Sequence, residues 1–182
     1  MEITSVSLPG LMLVEPTIFE DERGFFFESY HKRIFNENKV SVDFIQDNHS
    51  RSKQGTLRGL HYQIRQPQGK LVRVILGEIY DVAVDLRKSS SAFGKWMGLY
   101  LSADNKKQLY IPPGFAHGFY VVSEWAEVLY KATDYYAPQW ERTILWNDTQ
   151  IDISWPLLDG KQPILSSKDA VGTPFDQAEV YD

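Results

Sequence analysis

Between residues 71 and 133 the chain runs through six short apolar segments with no long helix between any two of them: 71–76, 78–86, 96–101, 107–111, 115–122 and 126–133. They are punctuated by Gly77, by the loop 87–95 and by Pro112-Pro113-Gly114. β-Branched and aromatic side chains suit a pleated, half-buried surface, and Gly and Pro break it. Ile79-Tyr80-Asp81-Val82-Ala83-Val84-Asp85 is the clearest strand of the series. Without intervening helices the strands favour an antiparallel sandwich or barrel over a βαβ arrangement.

The flanking regions add to this frame. A strand, the Pro9-Gly10 turn and a second strand, 11–15, open the chain; the charged turn Asp21-Glu22-Arg23-Gly24 leads into an aromatic strand over 25–30. A short, weakly amphipathic helix is expected over 31–42 with Ile34 and Phe35 as its buried anchors. Residues 44–52 pass from apolar to polar, as a strand does when it runs from core to rim. Beyond Asp134 the pattern weakens to a turn at 135–138, a short strand over 143–146, and segments around Trp155 and Pro163 laid over the core. A short helix capped by Ser166 or Ser167 is expected at 166–170.

With 182 residues the chain suits a single domain, 1–182. A net charge of -5 with scattered basic residues argues against nucleic acid as a partner, but scattered cations can still converge on a small anion. The absence of cysteine excludes disulfides and thiolate chemistry and fits a reducing compartment. No apolar run reaches the roughly 18 residues of a membrane span, and the N-terminus lacks a signal-peptide pattern. A cytoplasmic protein is expected.

Chemistry gathers in Arg58-Gly59-Leu60-His61-Tyr62-Gln63 and Gln68-Gly69-Lys70-Leu71-Val72-Arg73. Three basic groups in one small region are costly unless an anion or a carboxylate joins them. Strict alternation would send Arg58 and His61 to opposite faces; a bulge or twist at Gly59 would bring them together. Taken alone, His61 is either a core histidine satisfied by a carbonyl or a base. His117, between Ala116 and Gly118, and Tyr130, beside Lys131, are open in the same way. Asp81 and Asp85 share a face by spacing, and a solvated face explains them most simply. The four histidines form no His-X-His pattern and no ligand cluster, so no metal is expected.

Taken together, these motifs resemble the dTDP-4-dehydrorhamnose 3,5-epimerase family of sugar-nucleotide cupins. The stretches that carry the resemblance are Asp21-Glu22-Arg23-Gly24-Phe25-Phe26, Gln46-Asp47-Asn48-His49-Ser50, the two stretches around His61 and Lys70, Pro113-Gly114-Phe115-Ala116-His117-Gly118-Phe119, Tyr130-Lys131-Ala132-Thr133, Leu145-Trp146-Asn147-Asp148 and Leu165-Ser166-Ser167-Lys168-Asp169. They stand in the family's order over nearly the whole chain. The resemblance implies a double-stranded β-helix, the jelly roll of cupins, with short peripheral helices. It also implies a homodimer whose N-terminal strands reach the partner, and a reaction without metal or organic cofactor.

The implied substrate is a dTDP-linked 4-ketosugar, dTDP-4-dehydro-6-deoxy-D-glucose, and the implied product is dTDP-4-dehydro-L-rhamnose. A ketone at C4 acidifies C3–H and C5–H, so the reaction needs a base, an acid on the opposite face and a cation near the oxygen. By the resemblance His61 is the base, Asp169 orients it, Lys70 faces the C4 oxygen and Tyr130 is the acid. Arg23, Glu28, Gln46, Asn48, Arg58, His117, Glu141 and Lys168 match binding positions, and Tyr136 is a stacking or sugar-shaping residue. Phe19, Arg23, Phe26 and Glu28 are expected to serve the neighbour's pocket. The alternatives are a single-centre epimerase acting at C3 or C5, a ketosugar isomerase, a non-catalytic sugar-nucleotide-binding cupin and a metal-dependent cupin oxygenase.

Overall fold

The computed structural model describes residues 1–182. Along the chain lie β1 (Glu2–Ser5), β2 (Met12–Glu15), β3 (Phe19–Asp21), β4 (Gly24–Phe26), α1 (Lys32–Glu37), β5 (Gln46–Lys53), β6 (Leu57–Gln63), β7 (Lys70–Leu76), β8 (Glu78–Asp85), β9 (Trp96–Ser102), β10 (Gln108–Ile111), β11 (Phe115–Val121), β12 (Trp125–Ala132) and β13 (Glu141–Thr143). A six-stranded sheet has the order β1-β2-β10-β7-β12-β5 and a five-stranded sheet the order β13-β6-β11-β8-β9; β3 and β4 form a separate hairpin. All pairs within the sheets are antiparallel. This is the expected all-β jelly roll. No helix is long and apolar enough to cross a membrane.

Alternation along the strands divides the apolar residues among three layers. Val72, Val74, Leu109 and Val128 from one sheet meet Ile79, Leu101, Phe119 and Val121 from the other between the sheets. The outer face of the five-stranded sheet, with Leu60, Tyr62, Val82 and Val84, is covered by C-terminal segments through Ile151, Trp155, Phe175 and Tyr181. The outer face of the six-stranded sheet is covered by Tyr30, Phe35, Val40 and Phe44 around Leu71 and Tyr110.

Several expected elements are shorter than their sequence pattern. The helix stops at Glu37 because Lys39 takes a left-handed conformation (φ 65°), and Val40 packs from extended chain instead. The aromatic strand ends at Phe26, and Tyr30 turns to pack edge-on against Phe35 and Phe44. The strand expected at 143–146 is Glu141–Thr143, with Ile144 bridging Thr173. At 166–170 only a 3-10 turn, Asp169–Val171, forms; Ser166 stands before it as a cap would, its hydroxyl accepting from the Asp169 N–H at 3.2 Å while donating to the Asp169 side chain at 2.6 Å.

Candidate active site

Gly59 decides which side chains of β6 face the pocket. Its φ of 127° is closed to most L-residues, and a Cβ there would lie 2.4 Å from Gly118 Cα, so β6 and β11 touch backbone to backbone. The Gly59–Leu60 peptide is cis. Beside this contact the register slips: His117 pairs with His61, but Phe119 pairs with Arg58. The slip is the bulge that lets Arg58 and His61, three residues apart, share the inner face. Arg58 then reaches back to donate to Ser52 Oγ at 2.9 Å.

His61 therefore enters the pocket from the five-stranded sheet. Lys70 on β7 and Tyr130 on β12 enter it from the six-stranded sheet, where the pairings Lys70–Ala132 and Val72–Tyr130 put both on the same face. The Lys70 ammonium stands 6.0 Å from the centre of the Tyr130 ring. His61, Gln68, Lys70, Tyr130, Tyr136 and Glu141 line one pocket between the sheets.

Asp169 is buried beneath His61. Its Oδ1 accepts a hydrogen bond from His61 Nε2 at 2.5 Å and one from the Gly59 N–H at 3.3 Å, and Oδ2 accepts from Ser166 Oγ at 2.6 Å. Burial alone would raise this carboxyl, but the donors from His61 and Ser166 outweigh it and hold the group down at about 2. A permanent acceptor at Nε2 puts the proton on that nitrogen and leaves Nδ1 with a free lone pair. The net shift of His61 is downward: burial opposes its charge more strongly than the Asp169 hydrogen bond favours it, and Lys168 adds to the fall. At neutral pH the ring is an oriented, uncharged base.

Burial likewise brings the Lys70 ammonium down to about 8, against the attraction of Asp81 and Glu141. Burial pushes the Tyr130 phenol up, with Arg58 opposing and Glu141 assisting, so the hydroxyl keeps its proton. Glu141 is held below its usual range: burial would raise it, but hydrogen bonds from Lys168 and Tyr136 prevail, the latter at 2.8 Å. Gln46 accepts from the Tyr136 N–H at 3.0 Å and donates to Asn48 at 3.0 Å, forming a polar rim beside this group. Asp47 points outward to Lys131 at 3.1 Å.

The hairpin residues stand apart from this pocket. Phe19 and Phe26 are 62% and 67% exposed, Glu28 is exposed, and Arg23 pairs only with Asp21 on its own turn. Asp81 and Asp85 correct the sequence expectation: neither is solvated. Asp81 accepts from His117 Nε2 at 2.8 Å, and Asp85 is held by Arg87 and Ser90. The sequence reading also missed Ser166 as a partner of Asp169, and Gln63, which donates to Gln66 and Tyr135 carbonyls and accepts from the Ala137 N–H. The Ser-x-x-Asp spacing was a signal for the former, and nothing local marks the latter. Nowhere do three His, Asp or Glu side chains converge as metal ligands would.

A family model described as dTDP-4-dehydrorhamnose 3,5-epimerase matches residues 5–177. The protein of that description from Pseudomonas aeruginosa is 58% identical over 182 residues, covering 100% of this chain and 99% of its own length. The crystal structure of dTDP-6-deoxy-D-glucose-3,5-epimerase from Legionella pneumophila, in complex with dTDP-4-keto-L-rhamnose, superposes with a TM-score of 0.94 at 49% identity, covering 98% of this chain and 94% of the other. A 3'-monoepimerase from Streptomyces bikiniensis in complex with dTDP-quinovose superposes with a TM-score of 0.87 at 30% identity over 94% of this chain and 86% of its own.

Proposed function

The chain belongs to the dTDP-4-dehydrorhamnose 3,5-epimerase family, and from that premise we propose that it epimerises dTDP-4-dehydro-6-deoxy-D-glucose at C3 and C5 with His61 as base and Tyr130 as acid. One observation carries the assignment of roles: the base and the acid enter one pocket from opposite sheets. A sugar ring held between them has His61 Nδ1 on one face and the Tyr130 hydroxyl on the other. Removing a proton from one face and returning one to the other inverts the carbon. The electron pair left at C3 or C5 delocalises onto the C4 oxygen, and the Lys70 ammonium stabilises that enolate more than the neutral ketone. Asp169 holds the imidazole in the right tautomer and offsets its charge after proton abstraction. Arg58 and Lys168 are the cations offered to the diphosphate, with His117 as a further binding residue.

A single-centre epimerase would share the base and the enolate cation. Identity of 58% and 49% to 3,5-epimerases, against 30% to the monoepimerase, favours the two-centre reaction. The test is NMR of the substrate with the protein in deuterated water, coupled to a rhamnose-forming reductase and NADPH. Deuterium at both C3 and C5 with dTDP-L-rhamnose formed is the expected result; deuterium at one carbon would move the assignment to a single-centre enzyme.

Residues 1–182 act as one domain in this reading, in the cytoplasm, and two copies pair so that Phe19, Arg23, Phe26 and Glu28 of each complete the other's pocket. The support is the hairpin itself, whose aromatic side chains stand in solvent away from their own pocket. Mixing a His61→Ala chain with an Arg23→Ala/Glu28→Ala chain tests it. With exchanged hairpins each mixed dimer has one intact site, so activity should return to about a quarter of wild type after random exchange. A hairpin that serves its own chain restores none.

A further inference from the structure

Asp81 and His117 lie inside the barrel, and the proton transfers assigned above make no use of Asp81. Its side chain is fully buried, Oδ1 takes the hydrogen bond from His117 at 2.8 Å, and Oδ2 has no partner. A half-satisfied carboxylate in such a place is costly unless a positive charge offsets it. Lys70 is the complementary case, an ammonium inside the same barrel with no carboxylate at ion-pair distance.

The groups that face Lys70 narrow the source of that offset. They are His61 on β6, Asp81 on β8, Tyr130 on β12, Glu141 on β13 and Lys168 from the C-terminal segment; His117 on β11 touches Asp81. His61 is bound to Asp169, and Tyr130 is a neutral phenol. Glu141 is already engaged by Lys168 and Tyr136, so its charge is largely spent. That leaves the Asp81 carboxylate, bonded to the His117 ring and to no lysine or arginine, as the negative charge available to Lys70.

We propose that Asp81 is a positioning residue for the reaction, whose carboxylate, steadied by His117 and left with one unpartnered oxygen, keeps the Lys70 ammonium charged while His61 is a free base. The inference rests on the reading of Lys70 as the group beside the C4 oxygen. Its physical need is a conflict built into the pocket: His61 must be uncharged and Lys70 charged at the same pH, yet burial drives both toward their neutral forms. With Lys70 brought down to about 8 the working window is narrow, and the loss of Asp81 would close it from the basic side. An Asp81–His117 pair that merely tied β8 to β11 would affect melting but not this window.

The experiment titrates the Lys70 ammonium by NMR in full-length protein labelled at lysine, with kcat followed over the same pH range. In Asp81→Asn, Lys70 is expected to titrate about 1 to 3 pH units lower than in wild type. The basic limb of kcat should move down with it, and Asp81→Glu should bring both back toward wild type. A Lys70 titration that stays in place in Asp81→Asn overturns the proposal. A titration that moves while the kcat profile stays also overturns it, but through the role given to Lys70 and not through Asp81. Should the variant not fold, the wild-type chain decides: the Asp81 Cγ resonance must report the deprotonation of Lys70, and a resonance blind to it overturns the proposal equally.

Discussion

His61→Ala is expected to lower the epimerisation rate by about 10²–10⁴-fold, the usual worth of a positioned general base, and to abolish solvent exchange at C3 and C5. Affinity for dTDP, measured by calorimetry, should stay within a few-fold of wild type, because the imidazole faces the sugar ring and its other nitrogen is committed to Asp169. That contrast separates a base from a binding group. It also discriminates against a non-catalytic sugar-nucleotide-binding protein, which has no use for the buried Asp169 and its three donors. In the wild-type enzyme the same assignment sets the acid limb of kcat/KM. His61 accepts a proton only while uncharged, and its downward shift places the loss of activity below pH 6.5, as pH falls through the shifted value. The limb should vanish from whatever residual activity the alanine variant retains. Exchange that persists at C3 or C5 in His61→Ala would assign the base elsewhere.

Alternation was enough to find β7, β8, β11 and β12, because β-branched residues and glycine-proline breaks are local signals. It could not say which face of a strand looks inward when both are covered. In β8 every residue from Asp81 to Asp85 is buried, so the even spacing of the two aspartates identified a shared face but not a wet one. Asp81 lies between the sheets opposite Phe119, and its partner His117 stands 36 residues farther along the chain. Such a pairing is a property of the barrel and not of either segment.

The side chains proposed for catalysis were legible for a different reason. Lys70 and Tyr130 sit at inward positions of regular strands, where parity holds. His61 needed one further fact, the glycine that breaks parity in β6. The residues Arg58-Gly59-Leu60-His61 contain that fact, since only glycine tolerates both the backbone angle and the approach of Gly118. What the resemblance added was the pairing of His61 with Asp169 across more than half the chain, which no periodicity contains. The hairpin is the opposite case: its aromatic residues are visible in the sequence, yet nothing local says what they pack against, and Phe19 and Phe26 stand exposed in the chain taken alone.

Tyr130→Phe separates the two halves of the reaction. The phenylalanine keeps the ring beside Lys70 and removes only a hydroxyl with no hydrogen-bond partner among the neighbouring protein groups, so the fold should be nearly unaffected. His61, on the opposite sheet, still removes the protons, and Lys70 still stabilises the enolate. With no donor on the far face, the enolate is reprotonated by the imidazolium that formed it, and the configuration returns to that of the substrate. The expected outcome is deuterium uptake at C3 and C5 without inversion, together with a fall in dTDP-L-rhamnose formation of about 10²–10⁴-fold. Proton NMR read against the coupled reductase assay measures both quantities in one sample. Product formation near the wild-type rate would remove Tyr130 from the mechanism. A parallel loss of exchange and product would mean instead that the phenol acts before the enolate forms, in holding the ring against His61.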